Sequence, residues 1–185
     1  LSMYEHPLCT TVDSDQYECS RLVMDHLFSH GHREIRFVSG PSYSVDSVFR
    51  ERGWRDELAA RGLYVSEPLR GDWTASSGYE LGRQIARDER ATAVYVANDQ
   101  MAVGVWAALV EAGRRVPEDV SIVGVDDSLE RSIPNVRLTT VSFDLFARGR
   151  VAVEHALLGS APGYRPTSIR IAPTLVVRDS VADAR

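Results

Sequence analysis

Two polar pairs stand where apolar runs stop. Asn98-Asp99 closes the run from Ala91 to Ala97, and Asp126-Asp127 closes the run from Val120 to Val125. Earlier in the chain lie Asp15, Asp46, Arg50 and Trp73. Groups of this kind suit a polyhydroxylated small molecule. A carboxylate accepts from two hydroxyls, a guanidinium donates two parallel hydrogen bonds, a carboxamide does both, and an indole covers an apolar C–H face. Taken singly, each residue has a plainer use: Arg50 as a solvated helix residue, Trp73 as a cover for the core, Asn98 as a cap and Asp126 as a turn former. The set gains meaning only if the fold gathers it.

The elements that would gather it are legible. The run Ala91 to Ala97 is short, rich in β-branched and aromatic residues and apolar on both faces, which predicts a buried parallel strand, and Val120 to Val125 reads the same way. Between them Met101, Ala102, Val105, Ala108, Leu109 and Ala112 recur at helical spacing, with Asn98 as N-cap and Gly113 as the C-terminal residue. Further strands are expected at Leu8 to Val12, Glu34 to Val38 and Leu138 to Phe143, and extended pieces near 64–69, 168–171 and 174–177. Helices are expected after Asp15, from about Val45 to Ala59 with Val45, Val48, Phe49 and Leu58 as its apolar residues, from Ala75 to Ala86, and from Leu145 to Leu158. The alternation indicates an α/β fold with a doubly wound parallel sheet, in which ligands gather at the carboxyl ends of the strands.

Composition removes several function classes. The 185-residue chain is 44% hydrophobic, carries a formal charge of −5, and all 21 of its basic residues are arginine. Without lysine there is no Schiff-base, phosphate-loop or Ser-x-x-Lys chemistry. No G-x-G-x-x-G, G-x-S-x-G or H-E-x-x-H motif occurs, so neither catalysis nor a cofactor is expected. His26, His30 and His32 cluster, but without nearby ligating carboxylates they read as helix packing and helix-end charge compensation rather than a metal site. The acidic balance opposes autonomous nucleic-acid binding. Two cysteines, Cys9 and Cys19, make no disulfide framework and are expected to be reduced. No apolar stretch approaches the length of a membrane helix, so a cytoplasmic protein without membrane contact is expected.

The segments Gly71-Asp-Trp-Thr-Ala-Ser-Ser-Gly78, Val96-Ala-Asn-Asp-Gln-Met-Ala102, Gly113-Arg-Arg-Val-Pro-Glu-Asp-Val-Ser-Ile-Val-Gly-Val-Asp-Asp127, Leu138-Thr-Thr-Val141 and Leu175-Val-Val-Arg-Asp-Ser180 occur in order along the chain. In this the sequence resembles the lactose-repressor (LacI/GalR) family of bacterial transcription regulators. The resemblance implies a type I periplasmic-binding-protein-like fold and an effector site for a small molecule, a carbohydrate by chemistry. In that site Arg50 and Asn98 bind sugar hydroxyls, Asp126 accepts from them, and Trp73 forms an apolar wall. Asp46, Asp15 and Phe143 complete the expected set, although Phe143 stands where the lactose-repressor branch of the family has a polar residue. Cys19 departs too, standing where the family commonly has glycine.

The resemblance also implies a homodimer, through Met101, Ala102, Val105 and Trp106 and through a segment at Glu130 and Arg131. Residues 14–142 plus 173–185 would form a complete C-terminal lobe. Residues 1–13 and 143–172 would be remnants of a largely missing N-terminal lobe, so operator DNA would be reached only through a missing N-terminal domain. The apolar stripe Leu145, Gly149, Ala152, Val153, Ala156 and Leu157 would then lack its sheet and either pack abnormally or mediate association. The competing readings are a periplasmic-type sugar-binding protein of a transport system, which shares the fold, and a small α/β enzyme.

Overall fold

The computed structural model describes residue 6, residues 8–129, residue 135 and residues 137–159 and 161–185. Its centre is a four-stranded parallel sheet in the order β3 (Leu69–Arg70), β2 (Ile35–Ser39), β4 (Ala93–Val96), β5 (Ser121–Val123). All four β4 residues are buried, as expected of a strand covered on both faces. Phe37 and Tyr95 are register neighbours of β2 and β4. On one face of the sheet they meet α1 (Gln16–Ser29) and α2 (Val45–Ala60), where Trp54 stacks on Phe37 with ring centroids 5.4 Å apart and Ser20 meets the Tyr95 hydroxyl at 2.9 Å.

The helices α3 (Ala75–Ala86) and α4 (Asp99–Glu111) pack closely on each other. Glycine makes that approach possible. A Cβ on Gly78 would meet the Met101 carbonyl oxygen at 2.2 Å, and one on Gly104 would meet the Ala75 carbonyl oxygen at 2.0 Å. Backbone is too stiff to yield at such separations, so alanine at either position must push the helices apart.

Beyond β5, a single parallel bridge between Val123 and Thr139 carries the sheet to β6 (Thr140–Phe143). β6 pairs antiparallel with β8 (Pro173–Val176), so the edge departs from the all-parallel expectation, a common finish for sheets of this class. The remaining strands, β1 (Thr11–Ser14) and β7 (Ser168–Ile171), form a separate two-stranded parallel pair. β1 begins three residues later than the apolar pattern suggested. The helix α5 (Leu145–Leu158) lies against β1 and has no buried residue. Its apolar stripe is open, as the sequence led one to expect, with Leu145 59% exposed and Leu157 76% exposed.

The α2 face differs from the sequence expectation. Val45 and Val48 are exposed, and the buried positions are Ser47, Arg50, Gly53, Trp54 and Leu58. These also follow helical spacing. The first two turns of the buried stripe are polar because they face a cleft rather than the core.

Candidate functional site

From β2 the chain runs outward to β3, and from β4 it runs the other way to β5, so the sheet's topological switch point lies between β2 and β4. A crevice opens at the carboxyl ends of two strands whose connections diverge. Here those ends are Ser39-Gly40 and Ala97-Asn98, and the predicted residues assemble around them.

Arg50 is the centre, only 4% exposed. Its Nη1 donates to the Ala97 carbonyl at the end of β4, its Nε donates to Gln16 Oε1 at 2.9 Å, and its Nη2 faces Asp126 Oδ1 at 3.7 Å. Phe143 lies beneath the guanidinium, 5.6 Å from its ring centroid. The planar cation is held at its rear by a carbonyl and an amide, and offers Nη2 beside a carboxylate. That leaves a bidentate donor–acceptor pair at the mouth.

Each polar pair divides its work. Asn98 caps α4, its Oδ1 accepting from the Met101 amide at 2.9 Å, while its Nδ2 donates to the Trp73 carbonyl at 3.0 Å. Asp99 turns inward. It accepts from the Ser128 amide at 2.8 Å and the Thr140 hydroxyl at 2.7 Å, which ties α4 to the Asp126 loop and to β6. Asp126 faces the crevice, whereas Asp127 pairs with Arg178 at 2.8 Å and fixes the segment after β8.

Burial pushes the Asp99 carboxyl up to about 6, the Thr140 and Ser128 hydrogen bonds opposing it and Asp126 and Asp127 adding to it. Although 41% of the Asp126 side chain reaches solvent, the crowding walls of the cleft likewise raise it to about 6, with Arg50 opposing and Asp46 reinforcing. Asp126 and Asp127 have φ of 107° and 51°, and Trp73 has φ of 76°. Three non-glycine residues in the left-handed region at one mouth mark a place where side-chain position has outweighed backbone ease.

Trp73 rests its six-membered ring on Gly40, where a Cβ would come within 2.3 Å of Cη2 and Cζ2. Asp46, in the first turn of α2, is close enough to raise Asp126. Asp15 stands further back: its Oδ1 caps α1 at the Glu18 amide, 3.0 Å away, and its Oδ2 faces Arg170 at 3.8 Å. It reaches the crevice through its neighbour Gln16. The structure thus gathers Arg50, Asp126, Phe143, Trp73, Asn98 and Asp46, and makes Asp15 a brace. Gln16 was missed by sequence reasoning, because a glutamine in a first helical turn carries no signal until a buried arginine is seen to need an acceptor.

The surface expected on α4 needs correction. Met101, Ala102 and Val105 are fully buried, held by the packing of α3 on α4, so no partner can touch them. Of that set only Trp106 is near the surface, in an apolar hollow of about 350 Å³ with Val103, Ala107, Leu129 and Leu138. Glu130 and Arg131 lie outside the described residues. Two of the three clustered histidines, His30 and His32, have structural partners. His32 Nε2 donates to the Ala182 carbonyl at 2.9 Å, leaving Nδ1 to accept from Thr92 at 3.0 Å, and His30 Nδ1 donates to the His26 carbonyl at 2.9 Å. Both cysteines are free thiols, Cys9 exposed and Cys19 buried under Tyr95, where burial pushes its thiol up to about 12.

Residues 24–181 match the family described as the periplasmic binding protein-like domain. The lactose operon repressor of Escherichia coli (strain K12) is 34% identical over 160 residues, covering 86% of this chain and 44% of that protein. The chain therefore spans less than half the length of that relative. Among solved structures, a LacI transcriptional regulator from a Rhodococcus species superposes with a TM-score of 0.86 at 32% identity, covering 97% of this chain and 67% of the other. The lac repressor dimer bound to operator and the anti-inducer ONPF gives a TM-score of 0.83 at 32% identity, covering 91% of this chain and 59% of the other.

Proposed function

The chain belongs to the LacI family of transcriptional regulators, as a periplasmic-binding-protein-like effector domain, and from that premise we propose that it binds an uncharged carbohydrate effector and takes part in dimerisation, without catalysis. The observation that carries the reading is the pairing of Arg50 with Asp126 over Phe143 at the switch point, opposite Trp73. One cation stands among the carboxylates of Asp126 and Asp46, so the crevice does not favour an anion. Donor and acceptor side by side match vicinal hydroxyls, and the two aromatic surfaces match the apolar faces of a sugar ring. Asn98 adds its amide at the edge while bracing Trp73.

In this reading residues 14–142 and 173–185 form one lobe, and residues 1–13 and 143–172 belong with the other. Effector acts by favouring one lobe arrangement over another, which requires differential affinity for the two. The dimer contact uses Trp106 with its exposed neighbours Val103, Ala107 and Val110. Net charge of −5 argues that operator contact is not made by this chain.

The test is thermal unfolding against D-galactose, D-glucose, D-xylose and their methyl glycosides. A sugar at about 100 times its dissociation constant adds roughly 2.7 kcal/mol. The expected result is a rise in Tm that disappears in Asp126→Asn, which keeps the shape of the side chain and removes its charge. A panel in which no sugar raises Tm overturns the carbohydrate reading.

A further inference from the structure

Two hydroxyls beside the crevice have no partner. Ser39 and Ser47 are fully buried, and neither Oγ meets a hydrogen-bond partner among the described residues. Buried hydroxyls are normally satisfied, and one left alone costs free energy that an alanine of nearly the same shape would not. Two at one place call for an account.

Their placement follows from two periodicities. Alternation along β2 puts Ser39 on the same face as Phe37, the face covered by α2. Ser47 precedes Trp54 by two helical turns and Arg50 by one, on the same buried stripe of α2. The seam between β2 and α2 therefore changes character along its length. At the bottom it is aromatic, with Phe37 stacked on Trp54. At the top, where β2 ends and the crevice begins, it is lined by hydroxyls.

The Trp73 indole closes that top. A Cβ on Gly40 would lie 2.3 Å from the indole Cη2 and Cζ2 and 2.5 Å from Ser47 Oγ, so ring edge and hydroxyl crowd the same point. The residue that shuts the hydroxyl away is the one with φ of 76°, on a loop held by the Asn98 amide. A strained residue covers an unsatisfied polar group, one turn of helix from the guanidinium that anchors the cleft.

Resting on the carbohydrate reading above, we infer that Ser39 and Ser47 form a second polar subsite at the back of the effector cleft. It takes a hydroxyl or hydroxymethyl group of the same uncharged sugar that Arg50 and Asp126 hold, and the indole edge moves aside to admit it. A serine hydroxyl both donates and accepts, so the pair can hold a sugar hydroxyl in either sense. Specificity follows, because a sugar lacking that hydroxyl leaves both serines as they were.

The experiment is calorimetric titration of D-galactose and D-glucose, with their 2-deoxy and 6-deoxy analogues, into the wild-type chain, Ser39→Ala, Ser47→Ala and Asp126→Asn, each variant's melting curve confirming its fold. The parent sugar is expected to lose about tenfold in affinity in Ser47→Ala, the effect of one good hydrogen bond. One deoxy analogue is expected to bind the wild type about tenfold more weakly than its parent, and to lose nothing further in Ser47→Ala. If the wild type binds a sugar, Asp126→Asn abolishes it and both serine variants bind as the wild type does, the subsite is overturned while the carbohydrate site stands. Equal weakening of every sugar in the serine variants, with no coupling to one hydroxyl, also overturns it. Binding of none of these sugars by the wild type overturns the carbohydrate reading and the subsite together.

Discussion

The β4–α4 unit and the helix α5 are built from similar local materials and end in opposite conditions. Each helix starts on a side-chain cap, Asn98 accepting from the Met101 amide and Asp144 from the Ala147 amide, and each is rich in Ala, Val and Leu. Seven residues of α4 are buried, whereas none of α5 is. Capping and propensity are enough to draw a helix, but packing is what anchors one. The crevice lies on the boundary between the two conditions. Arg50 comes from the packed core, and Phe143 beneath it ends β6, one residue before the cap of α5. A ligand bound there, as proposed, would touch both the packed core and the segment that leads into α5, the arrangement an effector domain needs if binding is to bias a neighbouring body.

The sharpest way to break this contrast is to truncate one large side chain in each region. Trp54 is fully buried and stacks on Phe37, so Trp54→Ala should cost about 3–5 kcal/mol through lost transfer energy and the cavity left behind. Leu157→Ala on α5 should change stability by no more than about 0.5 kcal/mol. Urea unfolding midpoints read both. A Leu157→Ala penalty approaching that of Trp54→Ala would mean that the α5 stripe is covered in solution, by association of copies, and the contrast would fail.

The same contrast explains what the sequence could disclose. β4, α4 and their junction at Asn98 were legible because a doubly buried strand and a capped helix leave unambiguous periodicity. Asp126 was legible for its position at a strand end. The buried face of α2 was not, because a count of hydrophobic residues selects Val45 and Val48, while the cleft above the core recruits Ser47 and Arg50 to the inside. Met101, Ala102 and Val105 were assigned to a surface because the family resemblance implied one on this helix, and nothing short of the close contacts of Gly78 with Met101 and Gly82 with Val105 reveals that α3 covers that side. The stripe of α5 was read correctly as apolar, and what the pattern could not supply was an element for it to pack on.

Within the core, the next largest effect should be a pH dependence centred on Asp99. Its folded carboxyl titrates near 6 against an unfolded value near 3.8, so the folded chain binds the proton more tightly. Stability from this group is complete below about pH 4 and is lost as pH rises through about 6, a difference on the order of 2–3 kcal/mol. Asp99→Asn mimics the protonated form, with its oxygen placed for the Ser128 amide and its NH2 for the Thr140 hydroxyl. It should therefore be more stable than the wild type at pH 7.5 and equal to it near pH 4. Unfolding curves at the two pH values decide this, and an Asp99→Asn chain less stable than wild type at pH 7.5 would show that the carboxylate itself holds the Asp126 loop.

The smallest effect concerns the two caps. Loss of an N-cap costs about 1 kcal/mol wherever the helix must form for the protein to fold. For Asn98→Ala that cost should appear in the global unfolding midpoint, enlarged by release of the Trp73 carbonyl from the Asn98 amide. For Asp144→Ala the loss should stay local, because a helix with no buried residue can open without the core. The midpoint should hold, while far-UV circular dichroism before the transition falls and hydrogen exchange quickens in α5 alone. If Asp144→Ala lowered the midpoint as far as Asn98→Ala does, α5 and the core would be one cooperative unit, and an effector contacting Phe143 would have no independently mobile part to bias.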